Sequence, residues 1–202
     1  MKSVRSLFLA VLGVAIASAA FASFGGGSKP SPPPPTSSGD NESSTSAQSS
    51  QRQEAEKWYG DAYNDVQKGK ESEQKNKAND AEKHYKRALD RGQHAVELDS
   101  MYHEAWNLIG FTSRKLKNYD GSIAAYQRCL RIKPDFAPAR EYLGEAYLEM
   151  GRIDDAKKQL AMLDPLEAPE EARTLNTAIQ SYETAHPSAT ASASSSDSTK
   201  AR

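Results

Sequence analysis

The chain holds few groups that could do chemistry, and their spacing decides against most of it. His103-Glu104 opens like a zinc-binding helix, in which two histidines four residues apart present nitrogens to one metal ion. Asn107 stands where the second histidine is required. His84, His94, His103 and His186 share no ligand spacing with one another. Gly25, Gly26 and Gly27 follow no strand, so they lack the context of a phosphate-cradling loop. No serine sits at a strand-to-helix elbow. Asp154-Asp155 opens a helix, where carboxylates stabilise the positive end of the dipole. The lone Cys129 excludes an internal disulfide and a cysteine-based zinc cluster, and its position reads as core between helices. Catalytic residues, metal and cofactors are therefore expected to be none. Two helical faces remain. Asn107, Phe111 and Arg114 share one, turned away from Trp106 and Ile109, and Glu141, Glu145 and Glu149 form an i, i+4, i+8 stripe.

The elements that carry these faces repeat. Trp106, Ile109, Gly110, Leu116, Tyr119, Asp120, Tyr126 and Cys129 return thirty-four residues later as Arg140, Leu143, Gly144, Met150, Ile153, Asp154, Leu160 and Leu163. A period of that length fits two antiparallel helices of roughly 15 residues each. Apolar spacing by threes and fours predicts helices over His103 to Lys117, Tyr119 to Ile132, Phe136 to Met150 and Ile153 to Leu163. Pro134 stops the second of these, and Gly151 closes the third. Upstream, Gln51 to Lys68 reads as a helix that ends at Gly69, and Ala81 to Leu98 as a second, long one. Lys70 to Lys77 reads as a polar loop between them. A last helix runs from Pro169 to His186, with Ala172, Leu175, Ile179 and Tyr182 on one face and polar residues on the other. Gly110 and Gly144 fall mid-helix, where glycine costs about 1 kcal/mol against alanine, so close helix contact is expected there.

Composition narrows the partners. Lys+Arg is 26 and Asp+Glu is 27, for a net charge of −1, which gives no basic footprint for nucleic acid. A mean hydropathy of −0.76 indicates a strongly solvated molecule. Met1 to Ala22 has the form of an export signal: Lys2 and Arg5, an apolar core from Leu7 to Ala17, and Ala20-Phe21-Ala22 before Ser23. The alternative is an uncleaved anchor over Leu7 to Phe24, the one route to membrane contact. Residues 23–50 are rich in Gly, Pro and Ser, and 187–202 in Ser, Ala and Thr; both read as disordered.

The doubled pattern resembles the tetratricopeptide repeat (TPR), whose unit reads Trp-x2-Leu-Gly-x2-Tyr, followed by Ala, an aromatic, Ala and Pro. The first copy matches at Trp106, Ile109, Gly110, Tyr126, Cys129, Leu130 and Pro134, and departs at Ser113 and Ser122. The second matches at Leu143, Gly144, Tyr147, Ala156 and Leu163, with Arg140 and Leu160 in place of the aromatics. A third, degenerate copy is arguable from Tyr59-Gly60, Tyr63, Ala88, Leu89, Ala95, Val96 and Leu98, with about sixteen residues inserted between its halves.

The resemblance implies an all-α fold, a right-handed α-α superhelix of about three helix pairs plus a C-terminal capping helix. The expected units are a lengthened pair over 51–102, repeats over 103–136 and 137–168, and the cap over 169–186. It also implies a concave groove that binds an extended peptide or a helix. By that analogy Asn107, Phe111, Arg114 and Lys115 face the groove in one unit, and Glu141, Glu145, Leu148 and Glu149 in the next. The glutamates would attract a basic segment, and Phe111 and Leu148 would anchor it. The lysine/asparagine/arginine clamp that some family members use for chaperone carboxylates is absent, since Asn107, Phe111 and Tyr142 hold the corresponding places. The expected function is an exported, non-enzymatic scaffold in a bacterial periplasm or envelope that captures a protein or peptide partner. A self-associating envelope component is the alternative.

Overall fold

Helix-favouring stretches punctuated by left-handed residues build the body. The computed structural model describes residues 41–187, all within the unit Gly39–Arg202. Seven α-helices follow one another in it: α1 (Asn41–Gln74), α2 (Ala78–Leu98), α3 (His103–Lys115), α4 (Tyr119–Ile132), α5 (Ala137–Glu149), α6 (Ile153–Ala161) and α7 (Pro169–Ala185). A 3-10 turn, Asp164–Leu166, precedes α7. No strand occurs among the described residues. The export segment, the linker up to residue 40 and the tail from Ser188 lie outside the described residues. Residues 41–50, expected as linker, are instead the first turns of α1.

The helices pair as α1/α2, α3/α4 and α5/α6, each pair stacks on the next, and α7 covers α5 and α6. The result is the right-handed α-α superhelix of three pairs plus a cap. Each first helix ends in the same way. A residue in the left-handed region turns the chain: Asn76 (φ 56°), Lys117 (φ 61°) and Gly151 (φ 74°). The next amide then reaches back five residues, Lys77 to Ser72 (2.9 Å), Asn118 to Ser113 (2.9 Å) and Arg152 to Tyr147 (2.8 Å). This double closure satisfies carbonyls that the helix end would otherwise orphan.

These turns correct the expected register of the first pair. Gly69 does not end a helix; it lies inside α1, five residues before its last turn closes. A Cβ built on Gly69 would lie 2.5 Å from the Tyr85 ring, and one on Gly110 would lie 2.6 Å from the Tyr126 ring. The glycine-to-tyrosine spacing is sixteen residues in both pairs. Gly60, the expected repeat glycine, meets nothing within 4 Å. Gly69, Ala81, Tyr85 and Ala88 are thus the counterparts of Gly110, Ser122, Tyr126 and Cys129, forty-one residues on. Seven residues beyond the thirty-four-residue period are two helical turns. They appear as the greater length of α2 against α4, 21 residues against 14. The expected loop at 70–77 shrinks to the turn around Lys75–Lys77.

The extra turns are packed. Ala55, Trp58 and Tyr59 of α1 meet Ala95, Val96 and Leu98 of α2, together with Tyr102 and Ala105. Arg52 donates to Asp99 (2.7 Å) and lies 3.7 Å above the Tyr102 ring. Deeper in this pair Asp65 is only 1 % exposed, held by Arg91 (2.6 Å), Arg87 (2.9 Å) and His84 (3.3 Å). Burial alone would raise its carboxyl, but the Arg87 and His84 hydrogen bonds and the Arg91 charge hold it below the usual range.

The remaining core follows the repeat. Cys129 and Tyr126 are fully buried and Tyr147 nearly so. Burial pushes the Cys129 thiol up to about 12, so it is inert core, as its position indicated. Trp106 packs between neighbouring pairs, with its indole N–H donated to the Ser100 carbonyl (3.0 Å). The Ser122 hydroxyl donates to the Gly110 carbonyl (2.8 Å). Leu175 and Ile179 of α7 seal the last pair, and Leu175 fills the space left by Gly144.

The two glycines of α1 therefore respond in opposite senses to alanine. Gly60→Ala should gain about 0.5–1 kcal/mol from helix propensity. Gly69→Ala should lose about 1–3 kcal/mol through overpacking on Tyr85, despite the same propensity gain. Urea denaturation of both variants measures the contrast, and equal shifts would contradict the register.

Candidate protein-binding groove

The first helices of the three pairs, α1, α3 and α5, lie side by side, with α3 touching both neighbours. Their common face is laced by charges that cross from helix to helix. Lys115 of α3 pairs with Glu73 of α1 (2.8 Å). Arg114 of α3 spans two carboxylates of α5, Glu145 (2.6 Å) and Glu149 (2.6 Å). Arg114 is 9 % exposed. Burial works against its charge, but Glu145 and Glu149 more than offset it and keep the guanidinium firmly protonated.

Aromatic rings form the floor. Phe111 meets Tyr142 of α5 at 5.7 Å and Tyr85 of α2 edge-on at 6.2 Å. Lys70 of α1 holds its ammonium 4.8 Å above the Phe111 ring. Burial, then the nearby Lys115, lowers the Lys70 ammonium below its usual range. Tyr63, beside Tyr59 on α1, is 37 % exposed.

The expected groove residues fall into three groups. Arg114, Lys115, Glu145 and Glu149 are brought together, but as ion pairs with this chain's own side chains. The expected cation-attracting stripe is thereby reduced, since Glu145 and Glu149 share the single positive charge of Arg114. Phe111 and Leu148 are buried, at 9 % and 7 % exposure, and so are not the exposed anchors expected of them. Asn107 and Glu141 form the third group: both are half-buried, and the Asn107 Oδ1 is buried without a hydrogen-bond partner. Burial, then repulsion from Glu145 and Glu171, pushes the Glu141 carboxyl up to about 8.

Sequence reasoning missed the contribution of α1. Tyr63, Lys70 and Glu73 fell out of phase once Gly60 was taken for the repeat glycine. The equal Gly69–Tyr85 and Gly110–Tyr126 spacing was the signal that could have placed them. It also missed α7 as a wall. A groove of about 630 Å³ lies between α5 and α7, lined by Arg114, Glu145, Leu148, Glu149, Tyr182 and His186 among others. Among the described residues no cluster of three or more His, Cys, Asp or Glu side chains could hold a metal ion.

This arrangement, first helices aligned on one face and second helices behind, is a stack of helix pairs closed by a final helix. Residues 114–185 match the family described as Tetratricopeptide repeat. No curated protein sequence matches the chain. Among solved structures, the type III secretion translocator chaperone SycD of Yersinia enterocolitica shares the fold. One SycD structure aligns with a TM-score of 0.53 at 18% identity, covering 65% of this chain and 85% of that one. A second, titled as an alternative dimer, aligns at 0.51 and 22%, covering 65% and 89%. A third, in complex with a peptide of the translocator YopD, aligns at 0.50 and 22%, covering 64% and 89%.

Glu141 makes the fold sensitive to alkali. Its folded value lies above its unfolded one, so folding favours the protonated form. That contribution is complete below the unfolded value and is lost as pH rises through about 8. Glu141→Gln should therefore match the parent in melting temperature under acid conditions and exceed it under alkaline ones. Thermal melts followed by circular dichroism across that range check the sign.

Proposed function

We propose that this chain is an exported scaffold that lays a peptide or protein partner along the face made by α1, α3 and α5. The observation that carries this reading is the face itself. Three helices align aromatic floor residues between interhelical ion pairs, yet Tyr63 stays exposed. A rigid concave surface of this kind binds at low ordering cost, because its side chains are already fixed. The YopD peptide carried by the similarly folded SycD supports the same use. No catalytic role is assigned to any residue.

The outer surface of α7 favours partner capture over self-association. Thr174, Thr177, Ser181 and Thr184 turn their hydroxyls back onto carbonyls of their own helix. This is a hydrated surface with little to offer a second copy. Export rests on the charged start and apolar core of residues 1–22. Among the described residues no helix is long and apolar enough to cross a membrane.

Partner capture is tested by crosslinking pull-down from envelope extracts, with Tyr63→Ala/Glu141→Lys as the altered form. Both positions can change without opening the core, unlike Phe111 and Leu148. The altered form should keep its melting temperature and lose its partners; an unchanged partner set would count against the groove. Size-exclusion mass measurement should return a monomer, and an oligomer would favour self-association. Intact mass of the mature chain should place its first residue at Ser23, and retention of residues 1–22 would favour the anchor.

A further inference from the structure

Three arginines on the side of the second helices have no acidic partner. Residues 41–187 contain nine arginines. Arg52, Arg87, Arg91, Arg114, Arg152 and Arg173 each pair with a carboxylate of this chain. Arg128 and Arg131 of α4 and Arg140 of α5 pair with none among the described residues. Arg140 donates instead to the Pro134 carbonyl (2.7 Å) and the Met162 sulfur (3.4 Å). The three are not scattered. Arg128 and Arg131 line one groove, and Arg131 and Arg140 line the next.

These grooves are one feature repeated. The first, about 340 Å³, lies between α2 and α4 over α3, with Leu89, Trp106 and Ile109 as apolar lining. The second, about 290 Å³, lies between α4 and α6 over α5, with Leu130, Leu143 and Tyr147. Gln93, Trp106 and Ile109 of the first stand thirty-four residues, one full period, before Gln127, Arg140 and Leu143 of the second. Arg131 lines both and so joins them. Among the described residues no aspartate or glutamate lines either groove. The α1/α3/α5 face is the opposite case, since Arg114 there is already spanned by two carboxylates of its own chain.

We propose that the joined grooves are a second docking surface, which takes an acidic segment of a partner protein. Carboxylates of the segment pair with Arg128, Arg131 and Arg140, and its apolar side chains settle on the lining between them. A guanidinium presents a planar fork that matches a carboxylate with two parallel hydrogen bonds. Arg128 and Arg131 lie about one helical turn apart, so two carboxylates at a similar separation meet both. A basic guest would meet only like charge, and a neutral one would strip water from the arginines without return. The apolar lining is recessed, with Leu89 and Trp106 half-buried and Ile109 buried. A chain can insert side chains to reach it, whereas the flat surface of a bilayer cannot. Arginine, tryptophan and tyrosine are also the residue types that most often dominate binding energy, and here they share one surface. This surface stands independently of the reading that α1, α3 and α5 hold a peptide.

The test selects a random-peptide phage library on the full chain and measures the enriched peptides, as synthetic probes, on the parent and on Arg128→Gln/Arg131→Gln. Arg131 is exposed and Arg128 half-buried, so the variant should keep the parent's thermal melt; Arg131→Gln alone, common to both grooves, replaces it if the melt falls. The expected result is a set of peptides carrying two or more aspartates or glutamates beside an apolar residue. Such a peptide should bind the parent about tenfold or more tightly than the variant. Its affinity should fall as NaCl is raised from about 0.05 M to about 0.5 M. It should bind Tyr63→Ala/Glu141→Lys as it binds the parent, which separates this surface from the α1/α3/α5 face. No enrichment of acidic peptides, or acidic peptides that bind the parent and Arg128→Gln/Arg131→Gln alike, would overturn the proposal and leave the first face standing. Acidic peptides released by Tyr63→Ala/Glu141→Lys would also overturn it. So would phosphatidylglycerol vesicles that capture the parent and not the variant, or an oligomer of the parent that the variant dissolves, since a bilayer or a second copy would then be the occupant.

Discussion

A tyrosine ring lying on the bare backbone of a glycine sets the spacing on which this structure depends. At Gly69 and Gly110 the absent Cβ leaves room for Tyr85 and Tyr126 to reach the facing helix. Interhelical distance depends on the side chains at the contact, and here a tyrosine ring meets the smallest residue. The glycine costs helix propensity, and the buried ring offsets that cost with a large apolar area. The contact recurs at the same phase in the first two pairs, and at Gly144 of the third Leu175 of α7 takes the place of the ring. The first helices α1, α3 and α5 then lie side by side as one face, α3 touching both neighbours.

On that face, electrostatics is mostly settled inside the molecule. Arg114 joins α3 to α5 and Lys115 joins α3 to α1, so the ion pairs hold neighbouring repeats together. Charges that sequence spacing displays as a stripe are thereby committed to architecture. Glu141 is the exception, lying one turn from Glu145 and out of Arg114's grip. Burial, then Glu145 and Glu171, raise its carboxyl, and Arg114 offsets only part of that. Lys70, half-buried on the same face, rests on the Phe111 ring. The face thus joins ion-paired links to a small number of positions outside them.

The legible part of the fold was the part with an undisturbed period. The α3/α4 and α5/α6 pairs recur every thirty-four residues, and Gly110, Gly144, Tyr126 and Leu163 can be read from spacing alone. The first pair could not be read in the same way. Two added turns in α2 move its counterparts to a distance of forty-one, and Gly60 offered a false phase. The polar run after Gly69 looked like a loop because it has no apolar stripe. Lys70 and Glu73 sit on the groove side and stay helical through pairing with α3. For the site, the choice of helix and position could be read, but pairing could not. Whether Glu145 is open or engaged depends on where Arg114 arrives from, thirty-one residues earlier in the chain. That is a property of the folded stack.

The hydroxyl-coated outer side of α7 bears on how such an array could lengthen over evolutionary time. A duplicated hairpin added after α7 would find threonines and serines already bonded to their own helix, and no oily seat to occupy. One inserted before α7 would meet the same Gly144-type socket that Leu175 now fills, and α7 could slide outward to close the new end. Expansion by gene duplication is thus channelled to the interior of the series, with the terminal helix retained as a movable stopper.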